Sequence, residues 1–139
     1  MTIARIVVLA SAGFLAGCTM TTGETPAQGG QVEARSRDVP AARATGPAES
    51  CIRLAEVTNS RVRNDWTIDF ERASSRQIYR AELDRRCPGL KIADAFTYNT
   101  SLTQFCTSEI IYPLHQGAGG PYRGPACGIN RFIPMELAP

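Results

Sequence analysis

Apolar and polar residues alternate most clearly between residues 66 and 71. The apolar members are Trp66, Ile68 and Phe70, and the polar members are Thr67, Asp69 and Glu71. Successive side chains of a strand point to opposite faces, so this period of two predicts a half-buried β-strand. After a polar turn at residues 72–76, Tyr79, Ala81 and Leu83 repeat the alternation, which predicts a return strand.

A helix competes with this return strand over residues 74–86. Ser74 and Gln77 have the spacing of a capping box, and Glu82 and Arg86 form a favourable pair four residues apart. We favour the strand, because the segment follows a turn of hairpin length and the sequence Cys87-Pro88-Gly89 stops it. The helix stays open as the alternative at this stage.

Three later segments repeat the period of two, and one earlier segment does so more weakly. The later ones are centred on Phe96 and Tyr98, on Ile110, Tyr112 and Leu114, and on Ile129, Arg131 and Ile133. The weaker one runs from Cys51 to about Val57. Five or six short strands without a βαβ rhythm predict a mainly β domain over residues 51–139, a small antiparallel barrel or roll.

The N-terminus has the features of an export signal. Residues 6–15 are an apolar run of ten, about half the length that a membrane-spanning helix needs. The run closes on Leu15-Ala16-Gly17-Cys18, which resembles the lipobox of bacterial lipoproteins. This resemblance implies that a signal peptide, residues 1–17, is removed and that Cys18 carries the lipid, palmitate included. An ordinary secretory signal followed by a chance cysteine is the alternative.

Residue 19 indicates the membrane to which the protein would be directed, and the segment after it indicates a linker. Thr19 is not the aspartate that commonly retains lipoproteins in the inner membrane, so the same resemblance implies the periplasmic face of the outer membrane, for a Gram-negative source. From Cys18 to Ser50 the chain is rich in Thr, Gly, Ala, Pro and Gln. Such a composition cannot bury enough apolar surface to fold alone, so residues 18–50 are predicted to be a disordered linker.

Four further cysteines lie in the predicted domain: Cys51, Cys87, Cys106 and Cys127. An even number in a small exported chain predicts two disulfides and an oxidising compartment such as the periplasm. Four cysteines allow three pairings. If the strands form an up-and-down meander, cysteines at opposite ends of the sheet are too far apart to bond, which leaves Cys51–Cys106 and Cys87–Cys127.

Five short motifs of the domain, taken together, resemble those of a known family. They are Cys51-Ile52, Trp66-Thr67-Ile68-Asp69-Phe70, Arg86-Cys87-Pro88-Gly89-Leu90, Phe105-Cys106 and Ala126-Cys127-Gly128. With these motifs the domain resembles a family of uncharacterised small lipoproteins from Gram-negative bacteria. The resemblance implies the domain boundary and four structural cysteines. It implies no activity, because the function of that family is unknown.

Few residues have the pattern of a reactive site. His115 is the single histidine of the chain, and no GxSxG motif surrounds a serine. We therefore predict no catalytic residues, no metal ligands and no cofactor. The glycine-rich run 117–125 lacks the ending of a phosphate-binding loop and is interpreted as a surface loop. Its exposed residues Tyr122 and Arg123 are the candidate binding residues, because loops on rigid scaffolds often carry function.

The charge pattern excludes one class of partner. The net charge is +2 and is spread along the chain, which argues against nucleic acid. Arginines between residues 61 and 86 alternate with acids and are interpreted as a solvated face. Together these features predict a non-enzymatic interaction or envelope-structure module that binds an envelope protein or a wall polymer.

The alternative function is a small-ligand binder that uses the barrel mouth and the 117–125 loop. Such a binder would have an apolar concavity lined by Trp66, Tyr98 or Tyr112. A scaffold would bury these three aromatic residues in a closed core.

Overall fold

The fold is known from a computed structural model, which describes residues 33–74, 76–100 and 103–139. The predicted signal peptide, Cys18 and the predicted linker up to residue 32 lie outside these described residues. The domain is mainly β and antiparallel, as predicted. Ten strands are present in the described part of the chain, against the five or six expected.

The strands are β1 Ala42–Ala44, β2 Cys51–Arg53, β3 Asn59–Asn64, β4 Thr67–Glu71, β5 Gln77–Leu83, β6 Phe96–Tyr98, β7 Gln104–Cys106, β8 Ile110–Gly117, β9 Gly120–Arg123 and β10 Cys127–Leu137. Residues 33–36 form a helical turn, Leu54–Glu56 form a 3₁₀ turn, and Leu90–Ala93 form the short helix α1. All six predicted strands are found, but the first ends at Arg53 and a 3₁₀ turn follows it, so its predicted extension to about Val57 is wrong. The four additional ones, β1, β3, β7 and β9, are short or mostly polar, so hydrophobic alternation does not mark them.

The large sheet has the strand order β3-β4-β5-β10-β8-β6, with β1 added to β10 and β9 added to β8. One edge of β10 pairs with β5 over most of its length. Its other edge is shared by β8 at one end and β1 at the opposite end, with a bridge between Glu49 and Phe132 in the middle. The last strand thus lies between the two halves of the sheet, which makes a roll and not the meander expected from the sequence.

Residues 74–86 form the hairpin and strand that were favoured over a helix. The Arg72 amide donates to the Gln77 carbonyl, which closes the β4–β5 hairpin. Ile78, Ala81 and Leu83 are buried. Because β5 has a partner strand on each edge and is covered on both faces, tertiary pairing outweighs the local helix preference.

The hydrophobic core lies between one face of the large sheet and the separate β2–β7 ribbon. Its centre is a group of phenylalanines, Phe70, Phe96, Phe105 and Phe132. Phe70 contacts the other three edge-to-face at 5.7 to 6.1 Å between ring centroids. Tyr98 packs on Phe105 at 4.4 Å. This geometry is favourable for aromatic pairs and leaves a filled core.

The predicted disorder of the linker is wrong for its last part. Residues 33–41 lie across the second face of the sheet, and we call them the N-terminal strap. Asn64 donates from Nδ2 to the carbonyls of Arg35 and Arg37, at 2.9 and 2.8 Å. Beyond the strap, β1 pairs with the end of β10. Backbone hydrogen bonds hold this segment, and a composition rule based on apolar burial does not detect them.

The strap also changes the prediction for β4. A half-buried strand was expected, but Thr67, Ile68, Asp69 and Phe70 are all buried, and Asp69 is 0% exposed. The apolar side chains face the core, while Asp69 faces the strap side. Both faces are therefore covered.

Both predicted disulfides are present. Cys51 bonds Cys106 across the β2–β7 ribbon, with the Cα atoms 4.0 Å apart, and Cys87 bonds Cys127 with the Cα atoms 5.7 Å apart. The meander used to derive the pairing is wrong. The pairing is correct because Cys51 and Cys106 are direct cross-strand neighbours, and because the connection after β5 passes close to the start of β10.

Candidate functional site

Asp69 is the centre of a buried ion cluster on the strap side of the sheet. Arg80, opposite Asp69 in β5, donates from Nε to Oδ1 at 2.7 Å and from Nη2 to Oδ2 at 3.0 Å. Arg63 donates from Nε to Oδ2 at 2.8 Å. Arg80 also donates to the carbonyl of Pro40 in the strap at 3.1 Å. The cluster therefore joins three strands and the strap through one carboxylate.

The turn between β3 and β4 holds the strap from the other side. Asn64 is almost fully buried, and its Oδ1 accepts a hydrogen bond from the Trp66 amide at 2.8 Å. The Trp66 ring carries the Arg35 guanidinium, 4.1 Å from its centroid, in a cation–π contact. Trp66 is half-buried under this cover. The strap, the turn and the indole thus form one packed unit.

An open cleft of about 580 Å³ lies beside this unit. Arg37, Arg86 and Lys91 line it, together with Asp38, Asp65, Asn64, Ala34 and Trp66. Asp65 is engaged, since Oδ2 accepts from Arg86 Nε and Oδ1 accepts from the Lys91 amide, both at 3.0 Å. Three cations against two carboxylates give the cleft a positive excess, which suits an anionic group.

A second, smaller space of about 390 Å³ runs along β3 and meets the first at Lys91. We call it the edge groove. Residues 59–63 line it, with Lys91 and Asp94. Lys91 Nζ donates to the Val62 carbonyl at 3.3 Å, so a backbone group of β3 faces this groove.

Glu56 and Tyr79 form a separate polar contact at the 3₁₀ turn. The Tyr79 hydroxyl donates to Glu56 Oε2 at 3.1 Å, and this bond, with the Arg53 and Arg72 charges, lowers the pKa of Glu56 below its ordinary value of 4.5. Burial of Tyr79, followed by the bond to Glu56, raises the pKa of its phenol above 10.0. Both pKa shifts mean that the folded state favours the ionised carboxylate of Glu56 and the neutral phenol of Tyr79.

The predicted binding residues Tyr122 and Arg123 lie in a hairpin and not in a loop. Gly117 and Gly120 face each other, leaving a two-residue turn, and Gly120 has a φ of 103° that suits glycine. Tyr122 is 56% exposed and stacks on His115 at 5.2 Å. Arg123 lies 5.4 Å above the Tyr112 ring. The structure brings these four side chains together on one hairpin.

Trp66, Tyr98 and Tyr112 were expected to line a concavity in a ligand binder and to be buried in a scaffold. The structure places these three side chains in different environments. Tyr98 packs against the core, as a scaffold requires. Tyr112 lies under Arg123, and Trp66 lines the cleft of about 580 Å³. Sequence analysis missed the buried ion cluster and Asn64. Opposite charges at Asp69 and Arg80, in the middle of two neighbouring strands, were the available signal.

Arg80 also corrects the interpretation of the arginines as a solvated face. Its side chain is 9% exposed, because it lies under the strap and against Asp69. Arg61 and Arg86 stay on the surface, with side chains 57% and 65% exposed.

Comparison with protein-family models, with curated proteins and with solved structures finds no match to this chain. In the described ranges, no three or more His, Cys, Asp or Glu residues are grouped as a metal site would require. No helix in that part of the chain is long and apolar enough to cross a membrane.

Proposed function

We propose that the protein is a lipoprotein anchored through Cys18 to the periplasmic face of the outer membrane, where it serves as a non-enzymatic interaction or envelope-structure module. The observation that carries the proposal is the pair of disulfides, which join residues 55 and 40 positions apart. Disulfides of this kind form and persist in oxidising compartments. The lipobox-like sequence Leu15-Ala16-Gly17-Cys18 supplies the anchor.

The geometry supports a rigid module that presents surfaces to a partner. The core is filled by aromatic rings, and the disulfides tie the ribbon together and β10 to the chain before α1. Binding surfaces on rigid elements lose little conformational entropy when a partner is bound. The partner in this proposal is an envelope protein or a wall polymer.

Radiolabelled palmitate tests the anchor. The wild-type chain is expected to take up label and to fractionate with the outer membrane, whereas Cys18→Ser is expected to stay unlabelled and soluble in the periplasm. Equal labelling of the two would refute the anchor. Chemical crosslinking in intact envelopes, followed by purification of the Cys18-anchored protein, then identifies its partner.

Small-ligand binding is the second candidate function. The cleft beside Trp66, with its excess of cations, favours it, and the position differs from the 117–125 run that the sequence indicated. Trp66 is the single tryptophan of the chain, so its fluorescence reports on this cleft alone. A saturable change on titration with a small dicarboxylate, lost in Arg37→Ser and kept in Arg123→Ser, would support this candidate. No change with wild type would exclude that ligand class.

A further inference from the structure

The two disulfides lie in different environments. Cys87 and Cys127 are 0% and 2% exposed and belong to the hydrophobic core. Cys51 and Cys106 are only half-buried. A thiol must reach a sulfur atom to attack a disulfide, so exposed disulfides are the ones that react with thiols. The difference in burial predicts that the two cross-links respond differently to a reductant.

The alternation of side chains places the Cys51–Cys106 bond on the solvent side. The ribbon consists of three cross-strand pairs, which are Cys51 with Cys106, Ile52 with Phe105 and Arg53 with Gln104. The middle pair is 1% and 0% exposed, so it points into the core. Because successive residues of a strand point to opposite faces, the disulfide lies on the outer face of the ribbon, beside the exposed third pair.

The ribbon is a two-stranded sheet of its own. Backbone bonds close its two ends: the Leu54 amide donates to the Thr103 carbonyl, and the Thr107 amide donates to the Ser50 carbonyl. A two-stranded ribbon is only marginally stable in water. The covalent bond across its strands therefore helps to keep Phe105 seated in the core.

The second disulfide is enclosed by the large sheet. The Cys87 amide donates to the Asp65 carbonyl at 2.8 Å, and Cys127 pairs with the buried Ile111 of β8. A reagent reaches these two sulfur atoms only when this part of the core opens.

We propose that Cys51–Cys106 is a site of reversible thiol–disulfide exchange with a dithiol reductant, and that Cys87–Cys127 is a permanent cross-link. One thiol of the reductant loses a proton, attacks one sulfur of Cys51–Cys106 and forms a mixed disulfide. The other cysteine leaves as a thiolate and takes up a proton.

A second transfer completes the reaction. The remaining thiol of the reductant loses its proton and attacks the reductant's own sulfur in the mixed disulfide. The second cysteine then leaves and is protonated. The reductant is oxidised by two electrons to a disulfide, and the protein gains two thiols.

Reduction at this site affects one part of the fold. It removes the covalent tie between the strands of the ribbon and leaves the large sheet and Cys87–Cys127 intact. The ribbon then opens more often over Phe105, so the redox state of Cys51–Cys106 controls access to the core. This exchange needs neither the lipid anchor nor an envelope partner, and so goes beyond the proposed function.

Stepwise alkylation of the purified Cys18→Ser protein, which keeps the four domain cysteines, tests the proposal. Dithiothreitol is the dithiol. Thiols that it frees in the folded protein are blocked with iodoacetamide, and the remaining cysteines are labelled with N-ethylmaleimide after unfolding and full reduction. Peptide mass spectrometry then gives a rate for each pair. We expect Cys51 and Cys106 to be freed together, about tenfold or more faster than Cys87 and Cys127.

Urea below the unfolding transition separates attack on the folded protein from attack after global unfolding. The rate for Cys51–Cys106 should change by less than about twofold. The rate for Cys87–Cys127 should rise steeply, because urea increases the unfolded population. Equal rates for the two pairs without urea, or a Cys51–Cys106 rate that rises with unfolding, would overturn the proposal.

Two matched double variants check the assignment of the rates. Cys87→Ser with Cys127→Ser should release two thiols at the rate of the parent protein. Cys51→Ser with Cys106→Ser should release none over the same time. Rapid release of thiols by the second variant would overturn the proposal, because it would make the enclosed pair reactive as well.

Hydrogen exchange measures the opening of the ribbon after selective reduction. The amides of Leu54 and Thr107 should exchange about tenfold or more faster than in the oxidised protein, whereas the Leu83 amide, bonded to the Trp66 carbonyl, should keep its protection. Unchanged exchange at Leu54 and Thr107 would overturn the opening. Oxidised glutathione should then re-form Cys51–Cys106, and a protein that stays reduced would overturn the reversible site.

Discussion

At Asp69, three strands and the strap are joined through a single carboxylate. The carboxylate is 0% exposed and has two guanidinium partners, Arg80 and Arg63. Bringing a charge out of water costs several kcal/mol, and the cost is recovered only when partners surround the charge. The cluster therefore fixes how the three strands and the strap are placed, but its presence is weak evidence for a net gain in stability. Removing one member alone is still costly, because its partners stay buried without a counter-charge.

The first prediction concerns this cluster. Asp69→Asn keeps the shape but leaves two guanidinium groups uncompensated, so the free energy of unfolding should fall by about 3–5 kcal/mol. Urea unfolding followed by Trp66 fluorescence measures it. Glu136→Gln, which removes two surface ion pairs with Arg43 and Arg76, is the control and should change stability by less than about 1 kcal/mol. Similar losses in both variants would contradict the buried cluster.

The second prediction concerns pH. The pKa of Glu56 is lowered in the folded state, chiefly by the Tyr79 hydroxyl. Ionised Glu56 therefore stabilises the fold above the ordinary value of 4.5, and this contribution is lost as the pH falls through the lowered pKa. The difference in Tm between wild type and Glu56→Gln should be positive at pH 7 and should shrink below pH 4.5. Tyr79→Phe should make the difference smaller at pH 7. A difference independent of pH would contradict this account.

Among the elements, the strap shows how a polar segment becomes part of a fold. Its carbonyls at Arg35, Arg37 and Pro40 accept hydrogen bonds from side chains of the sheet. In return, it covers the second face of β4 and shields Asp69 from water. If Cys18 carries the proposed anchor, the strap also limits the reach of the domain. From Cys18 to residue 33 the chain spans at most about 50 Å.

The third prediction concerns the attachment of the strap. Asn64→Ala removes both bonds to the strap, each contributing about 1 kcal/mol. The amides of residues 35–39 should then exchange about tenfold faster or more, and trypsin should cleave earlier after Arg37. Asn130→Ala, at an exposed position, is the matched control. Unchanged exchange in Asn64→Ala would show that other contacts hold the strap.

At the scale of the whole molecule, the two disulfides limit how far the unfolded chain can expand. Each closes a loop of several strands, with separations of 55 and 40 residues. In the chain-entropy model, loops of this length stabilise by about 4 kcal/mol each, an upper figure since residual structure in the unfolded chain reduces it.

The fourth prediction is that each disulfide contributes independently. Replacing both cysteines of one pair by serine, Cys51 with Cys106 or Cys87 with Cys127, should lower the free energy of unfolding by up to about 4 kcal/mol. Cys18→Ser should leave the domain unchanged. Non-reducing peptide mapping checks the pairing, and a fragment joining Cys87 to Cys106 would contradict it.

The fold class could be predicted from features that are local in the sequence or that need only a count. A strand with one or two buried faces needs apolar residues at every second position, so Ile68, Phe70, Ala81 and Leu83 indicated β4 and β5 directly. An even number of cysteines indicated two disulfides. These inferences need only neighbours in the chain or a count, which is why they are correct.

Tertiary structure decided which edges pair, where the strap lies and which charges are buried. Strand order depends on contacts between residues far apart, and a strand such as β3, with one apolar residue, gives no periodic pattern to read. Arg80 and Arg61 look alike in the sequence, yet one is buried against Asp69 and the other is on the surface. Burial of a charge depends on what covers it, and here the cover is a segment forty residues away at Pro40.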